Sequence, residues 1–451
     1  MTPPAREPCE VFLTGLRCTV CSDAYRPAPG RYVCDRCGEV GTLDARYDYA
    51  AIGRVLSPDT LAADSERSIW RYRPLLPVGP DVAVSALGVG GTPLIEAERL
   101  AERWGVEQLW IKDEGRQPTG SLKDRASAVA LAKAAEEGAE TVTTASTGNA
   151  AAALAGLAAG TGQTAVIFVP ETAPEAKVAQ LLAYGAFVML VEGTYDDAVR
   201  LCQEAVDRFG WYNRNTGINP YVGEGKKTVA LEIAEQLGWE APDAVFVSVG
   251  DGSIIGGVHK GFRDALELGW IDRMPRIYGV QAAGSSYMVD AWRNGEDLTT
   301  KPPVSALTAA DSISADLPRD RVKAMAAVVE TGGGWVSVDD DAILEMIPTV
   351  SADSGIFPEP AAAAAFAGLA EVVAGTQEGV PPVGATDRVV VISTGSGLKD
   401  IRGVMRGIDR TGAVPLPVRP GPDGLDPDEI AARMEQWLER LKGVTGDPLH
   451  G

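Results

Sequence analysis

Residues 244–262 read AVFVSVGDGSIIGGVHKGF. The first six are β-branched, aromatic or small, the profile of a strand buried on both faces. A glycine-rich turn follows, and then a stretch with helical patterning. The same grammar recurs three times. TVTTAS (141–146) leads into TGNAAAALAGLAAG, TAVIFV (164–169) into PETAPEAKVAQLLAYG, and RVVVIS (388–393) into TGSGLKDIRGVM. Repeated strand–turn–helix units predict α/β architecture, with parallel strands covered by helices on both faces. Glycine-rich turns at strand C-termini are where such sheets place ligands. In the turn at 250, the backbone N–H groups of Gly250, Asp251, Gly252, Ser253 and Ile254 can converge on one phosphate at a helix N-terminus.

Outside these units the chain changes character. The first ~48 residues hold five of the six cysteines and little helical periodicity. Cys18, Cys21, Cys34 and Cys37 form C-x2-C-x12-C-x2-C, a spacing that lets two thiolate pairs meet around one ion. Four soft thiolates favour a structural zinc; a metal-free ribbon and a redox pair are the alternatives. Cys9 and Cys202 read as packing residues. Residues 294–320 and 411–427 are Pro-containing and polar, and read as connections. A last amphipathic helix, DPDEIAARMEQWLERLKG, is expected to start at Asp426 with Glu429 completing a capping box.

Composition narrows the function. The chain of 451 residues carries 41 basic and 62 acidic side chains, a net charge of −21. That acidity argues against nucleic-acid binding. No run reaches the ~18 apolar residues of a membrane helix. The start, MTPPAREPCE, has no apolar signal core, and a cytoplasmic protein is expected. Only His259 and His450 are available for histidine chemistry, which leaves lysine, carboxylates, cysteine and cofactors.

Lys123 stands in PTGSLKDR (118–125), after the apolar run QLWIKDE and at the start of a helical stretch. A positive helix end and partial burial both lower a lysine's pKa, and suit it to Schiff-base formation or general-base work. A surface lysine at a helix start is the plain alternative. The other turns add a phosphate cradle at 250–254, a polar turn at STGN (146–149) suited to a carboxylate, and hydroxyls at STGSG (393–397). Together these are the groups a pyridoxal-phosphate enzyme needs.

The chain resembles the threonine-synthase branch of the fold-type-II pyridoxal-phosphate enzymes. The matching strings occur in order: SIWRYRPLLPV, GGTPL, PTGSLKDR, STGN, NPYVGEGKKT, VGDGSIIGGVHKGF, GIFPEPAAAAA and TGSGLKD. The resemblance implies a tryptophan-synthase-β-like fold of two three-layer α/β/α domains. Residues 49–117 and 220–410 would form the large cofactor-binding domain and 118–219 the small one. Residues 1–48 would be a zinc-ribbon-like segment, and 411–451 a linker with a C-terminal helix. It also implies site roles. Lys123 would hold pyridoxal 5'-phosphate as an aldimine and then shuttle protons. Asn149 would meet the cofactor's phenolic oxygen, Ser146 and Thr147 the substrate carboxylate, and Thr394 the pyridine nitrogen. Gly250, Asp251, Gly252, Ser253 and Ile254 would hold the phosphate. A homodimer is the expected assembly.

Three departures fall in the substrate-facing layer. Val222 stands where the family has an arginine for the substrate phosphate, and an apolar side chain does not pair with a dianion. Ser396 replaces a histidine in TGSG, so it becomes a candidate substrate contact. Ala150 replaces a frequent hydroxyl residue. Arg319 and Arg321, in the 294–320 connection and just after it, are alternative anion binders; Glu224 has no assigned role. The expected activity is elimination or replacement on a β-substituted amino acid such as serine, threonine or O-phosphoserine. Authentic threonine synthase, acting on O-phosphohomoserine, is the second reading. Readings from other classes are an NAD(P)-dependent oxidoreductase, suggested by the Gly250-x-Gly252-x-x-x-Gly256 spacing, and a non-catalytic binding protein.

Overall fold

The computed structural model describes residues 12–146, 148–173, 175–415, 428 and 430–436. The chain opens with a small antiparallel sheet of β1 (Leu13–Cys18), β2 (Ala24–Tyr25), β3 (Val33–Cys34) and β4 (Gly38–Tyr47), in the order β2-β1-β4-β3. Two short helices follow, α1 (Tyr49–Ile52) and α2 (Pro58–Ala63). The N-cap of α2 is Ser57, which forms a reciprocal capping box with Thr60.

The four strand–turn–helix units divide between two sheets. The larger is built from β5 (Leu94–Glu96), β6 (Gln108–Asp113), β11 (Ala244–Ser248), β12 (Arg276–Ala282), β13 (Trp335–Val338) and β14 (Arg388–Ser393). Its order is β13-β12-β11-β14-β6-β5, parallel throughout except for the antiparallel edge strand β5. The smaller has β7 (Thr141–Ala145), β8 (Thr164–Pro170), β9 (Phe187–Val191) and β10 (Tyr212–Asn213), all parallel in the order β10-β7-β8-β9. The helices between them are α3 (Glu98–Trp104), α4 (Lys123–Glu136), α5 (Asn149–Thr161), α6 (Glu175–Ala183), α7 (Tyr195–Phe209), α8 (Tyr221–Gln236) and α9 (Ser253–Glu267). Then come α10 (Tyr287–Asn294), α11 (Arg321–Val329), α12 (Asp340–Ser354), α13 (Pro360–Val373) and α14 (Ile401–Thr411).

The apolar strand runs are explained by burial on both faces. In β11, Ala244, Val245, Phe246 and Val247 are all solvent-inaccessible. The alanine run at 361–365 is buried on every side of α13, where small side chains let neighbouring elements approach closely; a Cβ on Gly368 would come within 2.4 Å of Val280. Adjacent strands β11, β14 and β6 send their C-terminal ends into the turn at 250, the turn at 394 and the loop carrying Lys123. Three of the sequence-predicted site segments therefore converge at one sheet end. The last amphipathic stretch is helical over 430–436, while Asp426 and Glu429 lie outside the described residues, as does Cys9.

Candidate active site

Lys123 opens α4, and the loop before it is pinned to the turn after β14. Leu122 N–H donates to the Thr394 carbonyl at 2.9 Å, and Ser396 N–H to the Gly120 carbonyl at 3.0 Å. Asp124 anchors the loop from inside, accepting from Thr119 N–H at 2.7 Å and from Thr119 Oγ1 at 2.5 Å. Burial pushes Lys123 below the ordinary lysine range; Glu359 opposes that shift, Arg214 reinforces it, and Asp251 opposes it. A lysine of this kind serves as nucleophile or base.

Asn149 is the first residue of α5, from the other sheet, and is buried. Its Nδ2 donates to Glu359 Oε1 at 2.8 Å and Oε2 at 3.1 Å. Its amide hydrogens are thus directed to a carboxylate, an arrangement the sequence reading did not include. Glu359 immediately precedes α13, and its N–H donates to the Gly395 carbonyl at 3.0 Å. Burial raises its pKa, while Asn149 and Lys123 pull the other way. The available signal was a glutamate, instead of Ser, Thr, Asp or Asn, at an N-cap before proline.

The turn at 250 has the features of an anion cradle. Among the described residues, the N–H groups of Gly250, Asp251, Gly252, Ser253 and Ile254 have no protein acceptor. Gly252 sits at φ +86°, and a Cβ there would come within 2.8 Å of Ala324. A Cβ on Gly250 would come within 2.8 Å of Ile313 Cα. The 294–320 connection therefore packs against the cradle. Burial raises the Asp251 carboxyl and Arg319 opposes it. Lys226 Nζ, fully buried, donates to Ser253 Oγ at 2.6 Å; it too was missed from sequence.

Three buried hydroxyls, Ser121 Oγ, Ser248 Oγ and Ser393 Oγ, have no partner among the described residues. They lie at the same sheet end as the cradle, and Thr394 follows Ser393 directly. Five unaccepted N–H groups, orphaned hydroxyls and a desolvated lysine fit a ligand that joins a phosphate to a polar ring.

Other sequence candidates have local duties. Ser146 Oγ accepts from Gly148 N–H at 3.2 Å and shapes its turn; Thr147 lies outside the described residues. Ser396 Oγ accepts from Leu398 N–H at 3.3 Å. Arg321 donates to backbone carbonyls, Leu298 at 2.7 Å and Pro318 at 3.0 Å. Val222 is buried in the core. Glu224 accepts from Tyr47 Oη at 2.9 Å and pairs with Lys227 at 2.8 Å and Lys260 at 2.9 Å, a structural cluster. In the N-terminal sheet, one ligand atom from each of Cys18, Cys21, Cys34 and Cys37 lies within 4.8 Å of the others. Backbone N–H groups of Val20, Cys21 and Cys37 point at their sulfurs.

Comparison with known proteins agrees with this geometry. The family described as pyridoxal-phosphate dependent enzyme matches residues 85–395. Threonine synthase of Methanocaldococcus jannaschii is 37% identical over 386 residues, covering 85% of this chain and 92% of that protein. Threonine synthase of Methanosarcina acetivorans is 39% identical over the same shares of the two chains. Among solved structures, the processed form of threonine deaminase isoform 2 from Solanum lycopersicum superposes with a TM-score of 0.61 at 23% identity, covering 90% of this chain and 98% of that one. Maize serine racemase gives a TM-score of 0.56 at 22% identity, over 77% and 92%. The fold and site define a fold-type-II pyridoxal-phosphate-dependent enzyme, and the chain belongs to that family. Within it, the chain is threonine-synthase-like. The dinucleotide reading of the 250 turn is thereby set aside.

Proposed function

We propose that this enzyme eliminates or replaces the β-substituent of a small amino acid of the serine, threonine or O-phosphoserine type. The observation that carries the reading is the juxtaposition, at one sheet end, of the desolvated Lys123, the unaccepted N–H groups at 250–254 and the Asn149–Glu359 pair. When bound, pyridoxal phosphate supplies a carbonyl that captures amines and a ring that withdraws electrons from Cα. The cradle would hold its phosphate, and Thr394 with Ser393 would face its ring nitrogen. Lys123 Nζ would hold its carbonyl carbon and, when free, would take the substrate's α-proton. The electron pair left on Cα by that proton would become the Cα–Cβ double bond as X departs with the Cβ–X pair. Asn149, held by Glu359, would orient the ring at its phenolic oxygen. Ser146, Thr147 and Ser396 are the substrate-facing polar groups.

The test is a parallel assay of purified holoenzyme. Ammonia and 2-oxo acid should form from L-serine, L-threonine or O-phosphoserine, and Lys123→Ala should abolish both turnover and the borohydride-sensitive visible band. Fast phosphate release from O-phosphohomoserine, with the other substrates inert, overturns the substrate assignment. That outcome is the second reading, threonine synthase itself, which the relatives matched over 92% of their length favour.

The four cysteines are read as a structural zinc site, because four thiols within 4.8 Å of one another, with N–H groups directed at Cys18 and Cys34, suit an ion that prefers four thiolate ligands. Elemental analysis finding no metal in native protein refutes it. The assembly is read as a cytoplasmic homodimer. No helix among the described residues is long and apolar enough to cross a membrane; sedimentation gives the oligomeric state.

A further inference from the structure

We propose that Lys226 is the cationic ligand of the cofactor's phosphate, completing from α8 a site whose other half is the N-terminus of α9. The inference rests on the cofactor assignment above. It starts from an imbalance of charge. Lys112, Lys226 and Lys227 are all fully buried. Lys112 pairs with Glu232 at 2.8 Å, and Lys227 with Glu224 at 2.8 Å and Asp264 at 2.6 Å. Lys226 has no carboxylate within ion-pair distance among the described residues; its sole hydrogen bond there is to Ser253 Oγ. An ammonium has three donors, and burying one without a counter-charge costs several kcal/mol, about what breaking a buried pair costs. The core tolerates such a group where an anion arrives from outside the chain.

Geometry supplies the place. The lysine stem lies against the first turns of α9, where a Cβ on Gly257 would come within 2.8 Å of Lys226 Cβ. Its Nζ reaches the side chain of the residue that opens α9, beside N–H groups that themselves lack acceptors. Phosphate oxygens in the cradle would take both sets of donors. The surrounding charges agree. Burial, then Arg214 and Lys123, hold Lys226 well below the ordinary lysine range, while Asp320 and Asp251 oppose this. A dianion would restore the proton. The helix dipole and backbone amides then act with a full charge instead of alone.

The test compares pyridoxal phosphate with pyridoxal, the same aldehyde without the phosphate, by absorbance titration of wild type and K226Q. Glutamine keeps donors and loses the charge. K226Q should bind pyridoxal phosphate about 10- to 100-fold more weakly, the worth of one hydrogen bond to a charged group, and pyridoxal as wild type does. The phosphorus resonance of the bound cofactor should also move. Equal pyridoxal phosphate affinity in the two proteins overturns the proposal. So does a raised KM for O-phosphoserine at unchanged cofactor affinity, which would place a substrate phosphate there. Should K226Q fail to fold, K226R decides: arginine keeps a cation at the position, so pyridoxal phosphate must still outbind pyridoxal, and equal affinity for the two aldehydes overturns the assignment. Wild type binding neither aldehyde would refute the cofactor reading itself, a distinct outcome.

Discussion

Gly395 and Glu359 show how closely the site is fitted. A Cβ on Gly395 would come within 2.4 Å of Glu359 Oε1. Gly395→Ala should therefore evict the carboxylate and release Asn149, lowering kcat about 100-fold, as displacements near 1 Å do. Steady-state kinetics together with an unchanged circular-dichroism spectrum would check it; wild-type kcat would show that Asn149 needs no anchor. His259 gives a second residue-level expectation. Burial, with Arg263 adding to it, lowers its pKa to about 4, against an unfolded value of 6.5. Between those values the unfolded chain binds a proton that the folded one refuses, so this group removes stability as pH falls from 6.5 toward 4. Asp124 works against it: burial raises its pKa to about 6 from 3.8, so the folded state takes up the proton first and gains stability over the same window. The wild-type curve hides both effects, and the variant exposes one. His259→Gln should gain about 2 kcal/mol relative to wild type between pH 7.5 and 4.5, read from urea melts at the two pH values. A constant difference would refute the shift. Lys123 and the 250–254 turn were legible because their chemistry is written in local strings. Glu359 and Lys226 were not, because a side chain's partner 210 or 27 residues away is invisible until the fold brings it there.

The four sequence-predicted strands form essentially where expected, since β-branched runs with both faces buried leave the chain few alternatives. The 294–320 connection was read too simply: it carries Ile313, which packs onto Gly250. Polar composition marked it as a loop but not as one wall of the cradle. The N-terminal sheet was legible in its cysteines alone. Its attachment is partly ionic, beside the apolar packing of Leu16, Leu43 and Ala45 into the main core. Asp44 of β4 meets Lys260 at 2.7 Å and Arg263 at 3.2 Å on α9, and Tyr49 Oη donates to Asp264 at 2.7 Å. Tyr47 reaches Glu224 on α8, and Lys260 joins Asp44 to Glu224. Lys260→Met would remove the buried cation that those two carboxylates share, leaving Asp44 with Arg263 and Glu224 with Lys227. The expected loss is about 3–5 kcal/mol, measured by urea denaturation. D44L/K260M should recover part of it, because removing both charges removes the desolvation burden of the pair. If K260M matches wild type, the cluster contributes nothing and the sheet is held by apolar packing.

At the scale of the whole molecule, α4, α8 and α9 hold the reactive groups by close backbone contact as well as by side chains. A Cβ on Gly225 of α8 would sit 2.0 Å from the Arg125 carbonyl oxygen of α4. One on Gly261 of α9 would sit 2.2 Å from the Lys227 carbonyl oxygen of α8. These crossings fix Lys123, Lys226 and the cradle relative to one another. They also bring the Arg125 guanidinium between Glu114, at 2.7 Å, and Glu232, at 2.7 Å, which ties α4 to the end of β6 and to α8. Backbone cannot rotate aside as a side chain can, so one methyl at the crossing must separate the helices. Gly225→Ala is therefore expected to lose about 3 kcal/mol or more, the upper range for overpacking a core. It should also loosen cofactor binding, because Lys123 and Lys226 move apart. A Cβ on Gly148, in the turn before α5, would meet only Ser312 Oγ at 3.9 Å. Gly148→Ala is therefore the control for methyl addition near the site without a helix crossing. Thermal melts and pyridoxal phosphate titration of the two variants separate the cases. Equal stability and affinity in Gly225→Ala and wild type would mean that the helices yield at the crossing, and that the placement of the two lysines is set elsewhere.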